Sequence, residues 1–228
     1  MRLAGKTWRT VVSTVRLGRD EYRVIRPARP IPHAPLYEGR LGAQLTIDKA
    51  ASAELAIAWW LAARSPHTLI YLPLRESPSC CGEEYGGRKL DLVLLHHSLG
   101  FPVSRWKRVR ARLGAGSPQT VRMPEQALPQ FDRETHSRRY HRDFRDHLRW
   151  DITADTLFLT GSRHAFELEA EQVRTLAEEC PAHLAASPGT HCCAEIGMGA
   201  YLRRGRDYAE LHVEHCQAHR PVSPFKHA

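Results

Sequence analysis

No stretch of this chain stays apolar long enough to cross a bilayer as a helix. The best candidate, ELAIAWWLAA, stops at Arg64 after ten residues, where a spanning helix needs roughly 18 or more. No membrane partner is therefore expected. The first residues, MRLAGKTWRTVVSTVRLGRDE, lack the charged start and clean apolar block of a secretory signal, and the expected location is cytoplasmic. No repeat at solenoid period is visible, which leaves out the stacked-repeat architectures. Lysine is scarce: 28 of the 33 basic residues are Arg. Such a bias makes the position of the charge more informative than its total. Cysteine is neither abundant nor evenly spaced. The six are Cys80, Cys81, Cys180, Cys192, Cys193 and Cys216, and two adjacent pairs suit a secreted disulfide framework poorly. In a reducing compartment such thiols stay free or bind metal.

What remains is substantial. A chain of 228 residues with 42% apolar content can bury a sizeable core. TVVSTVRL, GRDE and YRVIR, within residues 10–26, read as a β-hairpin, and the prolines of PARPIPHAP then force an extended loop. After a strand at 41–47, Asp48 is placed to cap a helix running to Arg64, where Ser65 and Pro66 end it. HTLIYLPL and KLDLVLLH have the length and breakers of buried strands. Ser104 is placed to cap an amphipathic helix, RWKRVRARL, and residues 114–130 have the composition of a linker. A second charged helix is expected in RETHSRRYHRDFRDHLRW, two strands in DTLFLTGSRHAFEL, and a helix in EAEQVRTLAEE. Cys180 reads as the cap of a short helix opened by Pro181, and YAELHVEH reads as a strand. The pattern is α+β, a mixed sheet with flanking helices and a Cys/His-rich C-terminal segment. It divides into residues 1–115, a basic linker and helix at 116–150, and residues 151–228, or it forms one domain.

Three constellations carry chemistry. The first is CPAH at 180–183 and CQAH at 216–219, with HCC at 191–193 between them. Zinc takes four ligands from Cys thiolate and His nitrogen, so Cys180, His183, Cys216 and His219 make a candidate set, with His191, Cys192, Cys193, His212 and His215 as alternates. The second is SPSCCGEEYGGRK, a Gly-rich loop between two expected strands. Cys81, with His96 or His97 as its base, is a candidate nucleophile of a small-molecule enzyme.

The third constellation is basic. Residues 101–150 hold twelve Lys/Arg against five Asp/Glu, while residues 151–228 hold seven against eleven. Arg105, Lys107, Arg108, Arg110, Arg112, Arg138, Arg139, Arg142 and Arg145 are candidates to meet the phosphates of a nucleic acid or another polyanion. Together these features point to a nucleic-acid-associated or regulatory binding protein held by a structural zinc, with an enzyme built on Cys81 or on a C-terminal metal centre as the alternative.

Overall fold

The computed structural model describes residues 2–39, 42–77, 87–129, 132–138, 141, 143–187, 189–197 and 210–216. They form a mixed seven-stranded sheet and a four-stranded sheet with helices between and beside them, an α+β architecture.

The larger sheet begins with the expected hairpin, β1 (Thr7–Leu17) against β2 (Asp20–Pro27), closed by Gly18 at φ 72°. β5 (Thr68–Leu72) and β6 (Asp91–His96) are the two expected apolar strands. Between β2 and β5 the chain forms β3 (Leu36–Gly39), β4 (Gly42–Ile47) and helix α1 (Lys49–Arg64). The larger sheet is completed by β7 (Ser117–Arg122), β8 (Arg149–Ile152) and β9 (Thr156–Gly161), in the order β7-β1-β2-β5-β6-β9-β8. The four-stranded sheet runs β10 (Cys193–Ile196), β11 (Glu210–His215), β4, β3. Strands from both ends of the sequence are thus interleaved: β4 pairs in parallel with β11, and β6 with β9.

Why the central strands are apolar throughout is clear from their two faces. Ile70, Leu72, Leu92 and Leu94 join one core with α1, while Leu69, Tyr71, Val93 and Leu95 join a second core on the opposite side. A strand buried on both faces has no polar side to alternate. α1 is apolar around most of its girth for the same reason, since it shares the first core with the inward faces of both sheets. Its Asp48 cap accepts from the N–H groups of Ala50 (2.9 Å) and Ala51 (2.7 Å). Trp59, fully buried, donates to the Phe166 carbonyl at 2.8 Å.

Several expectations are corrected. Residues 114–130 are not a plain linker, because Ser117–Arg122 pairs with β1 as an exposed edge strand. Ser104 caps nothing: a 3-10 turn at Val103–Arg105 leads into a single short helix, α2 (Trp106–Arg110), without a side-chain cap. The second charged helix shortens to α3 (Arg133–Arg138) among the described residues. After β9 comes a helix instead of a second strand, α4 (Arg163–Leu168), capped by Ser162. α5 (Ala170–Glu178) is as expected, and α6 (Cys180–Ala186) starts at Cys180 with Glu179 as its cap. No helix of the described residues is long and apolar enough to cross a membrane.

Candidate metal centre

The antiparallel register of β10 on β11 places Cys193 opposite Glu214 and Glu195 opposite His212. Alternation then sorts the side chains. Ala194, Ile196, Leu211 and Val213 are buried in the first core, so Cys193, Glu195, His212 and Glu214 share the other face, half-buried. His191, two residues before Cys193, is exposed beside them.

On that face one nitrogen of each imidazole and the Cys193 sulfur lie within 4.8 Å of one another. The rings of His191 and His212 stack with centroids 5.8 Å apart and planes at 14°. Each ring is also held by a carboxylate of the other strand: His191 Nδ1 lies 3.3 Å from Glu214 Oε1, and His212 Nδ1 is hydrogen-bonded to Glu195. A carboxylate on one imidazole nitrogen fixes the ring and leaves Nε2 for a metal, the support that metal-binding histidines commonly have. The Cys193 thiol is pushed above its ordinary pKa, first by burial and then by the charges of Glu195 and Glu214.

The donors brought together are therefore three of the alternates. Cys180 is joined to Cys192 in a disulfide, and Cys216 is also disulfide-bonded, so neither offers a thiolate in this state. His183 meets Thr190 Oγ1 at 3.2 Å and is not one of the grouped donors, and His219 lies outside the described residues. His215 faces the core, 7% exposed, with no partner on either ring nitrogen, and burial lowers its pKa. Among the described residues Cys193 is the one free cysteine. The expectation that these thiols stay free or bind metal is corrected for Cys180, Cys192 and Cys216, which are disulfide-bonded. Glu195 and Glu214 carry no signal of their own in the sequence, and the alternation in CAEI and ELHVEH places them beside the donors once the two strands are paired.

The nucleophile candidates are not brought together by described residues. Cys81 lies outside them. His96 is engaged locally: its Nδ1 is 2.8 Å from Ser98 Oγ, and its Nε2 accepts from the Arg163 N–H at 3.2 Å. Burial, then His97, lowers its pKa, in keeping with a neutral ring that caps α4.

The basic candidates are largely turned to internal work. Arg110 enters the interior, donating to Asp91 (3.1 Å), the Ala154 carbonyl (2.9 Å) and Thr156 Oγ1 (3.2 Å). Arg105 binds Asp20 and Tyr22, and Arg112 donates to the Arg16 carbonyl at 3.0 Å. Arg138 pairs with Glu134 at 3.2 Å, and Arg145 donates to the Phe144 carbonyl. Lys107 and Arg108 are exposed, and Arg139 and Arg142 lie outside the described residues.

The sequence matches no family model, and no curated protein or solved structure matches it.

Proposed function

We propose that this is a zinc-binding protein whose ion is held by His191, Cys193 and His212 and keeps one coordination position for an exogenous ligand. The observation that carries the reading is the crossed pair of carboxylates. Glu195 and Glu214 each hold the imidazole of the opposite strand beside a free thiol, which is more order than a chance clump of histidines requires. Two imidazoles and one thiolate suit zinc, and three protein ligands are the number found where the fourth position is left for water or substrate. A closed structural site would need a fourth side chain, and none of the described residues supplies one within the same distance.

A polyanion-binding role keeps less support, since Arg105, Arg110 and Arg112 are already satisfied by intramolecular acceptors. The test is metal retention. Protein incubated with zinc and exhaustively dialysed should hold about one ion per chain, while His212→Ala and Cys193→Ser should hold none. Retention of the ion by both variants would overturn the assignment.

A further inference from the structure

His191 stands outside the ladder that positions the other two donors. β10 begins at Cys193, which pairs with Glu214, and Glu195 pairs with His212. A donor two residues before the strand has no register to place it. Its ring has surface support, from the Glu214 carboxylate at 3.3 Å and the stack on His212, with 57% of the His191 side chain exposed. Contacts of that kind hold little by themselves.

A covalent tie reaches the segment from its other side. Cys192, between the donors His191 and Cys193 in sequence, packs against the first core and is bonded to Cys180, the first residue of α6. Cys180 is fully buried in that core. The disulfide therefore joins the residue next to His191 to the interior. One backbone hydrogen bond supplements it, from the His215 N–H to the Cys192 carbonyl at 3.0 Å. Thr190 Oγ1 meets the Ser187 carbonyl at 2.8 Å and His183 Nε2 at 3.2 Å, contacts that join the turn to α6 and not to the sheet carrying Cys193 and His212.

Resting on the metal reading above, we propose that the Cys180–Cys192 disulfide is the redox control of the same site: oxidised, it holds His191 against the ion, and reduced by a dithiol, it frees His191 and loosens the metal. Cys192 is half-buried, so its sulfur is the one a reductant reaches, whereas Cys180 is sealed. One thiolate of the dithiol bonds to Cys192 Sγ, the Cys180–Cys192 bond breaks, and Cys180 leaves as a thiolate that takes up a proton. The second thiol of the reductant, as its thiolate, then attacks the first sulfur, releases Cys192, which is protonated in turn, and leaves the reductant as a disulfide. Two electrons and two protons have passed to the protein. His191, Cys193 and His212 are chemically unchanged, so the effect on the ion comes from position alone. Ordering one freed donor sets its size, about tenfold in affinity or about 1.4 kcal/mol, the scale of fixing the backbone of one residue.

The experiment measures cobalt(II) affinity of the full chain through the thiolate-to-cobalt absorption band. The oxidised parent is compared with the parent reduced by a dithiol and desalted without oxygen, and with Cys180→Ala combined with Cys192→Ala, which adds no new thiol. If the oxidised parent binds no cobalt, the metal reading falls and this inference with it; binding by the parent isolates the second question. The reduced parent and the double variant should each bind about tenfold more weakly, and reoxidation should restore the parent. Should the double variant fail to fold, the reduced parent carries the comparison. In a His191→Ala background, titrated into the millimolar range, losing the disulfide should change the affinity by less than about twofold, because the tie has no donor left to place. Equal affinity with and without the disulfide overturns the inference. So does tighter binding after reduction, which would make Cys180 or Cys192 a ligand. An equal loss in the His191→Ala background, or a reduced parent that no longer unfolds cooperatively, also overturns it, since either would assign the bridge to the fold as a whole.

Discussion

Cys193 sets how the site responds to pH. Burial, followed by the negative charges of Glu195 and Glu214, holds its thiol above the ordinary value, so at neutral pH the metal-free protein carries the proton that a metal must displace. Apparent zinc affinity is therefore expected to rise about tenfold per pH unit over roughly pH 6–8, one proton being released per ion bound; a competition titration with a chromophoric chelator measures the slope, and a flat profile would show that the thiol takes no part. Removing the carboxylate charge that braces His212 should also weaken the site: Glu195→Gln is expected to lower zinc affinity by about 10- to 100-fold. A third residue-scale prediction concerns Asp91, 1% exposed, which accepts from Tyr71 Oη (3.0 Å), the Arg75 backbone N–H (3.1 Å) and Nε (3.0 Å), and Arg110 (3.1 Å). Asp91→Asn leaves Arg110 without its counter-charge and Arg75 with Asp155 alone, 3.6 Å away, and should destabilise the fold by about 3 kcal/mol in urea unfolding. Neither Glu195 nor Arg110 could be assigned from composition alone. Whether a glutamate braces a histidine, or an arginine turns inward, depends on a strand or loop far away in sequence.

At the scale of elements, the most legible parts are those with local punctuation. α1 was bounded in advance by Asp48 at one end and Ser65 and Pro66 at the other, and the first hairpin by its glycine turn. Asp48→Ala should cost about 1 kcal/mol, the usual worth of such a cap, whereas Ser104→Ala should be neutral because Ser104 makes no capping bond; thermal or urea melts separate the two. β7 was illegible because an edge strand exposed on both faces shows no alternation, and its Pro118 reads as a loop residue. α4 reads as a strand in the sequence because a six-residue helix is too short to display its period. β10 was hidden inside HCC, where a clump of chemically conspicuous residues concealed the alternation that divides them between two faces. The metal donors were thus visible as residue types, but their grouping waited for the register of β10 against β11.

For the molecule as a whole, the fold accounts for the charge distribution differently from the sequence. The excess of arginine in residues 101–150 partly ties the covering segment to the sheet beneath it, through Arg105 to Asp20, Arg112 to the Arg16 carbonyl and Arg110 to Asp91. The small sheet, by contrast, turns one face to the shared core and gathers on the other His191, Cys193, Glu195, His212 and Glu214. The Cys180–Cys192 disulfide anchors the segment that carries His191 to the start of α6. X-ray absorption at the zinc edge of the loaded protein reads the ligand set itself. An ion held by His191, Cys193 and His212 should show one sulfur neighbour at about 2.3 Å, two imidazole nitrogens at about 2.0–2.1 Å and one further light atom. A spectrum with no sulfur, or with two or more, would contradict it.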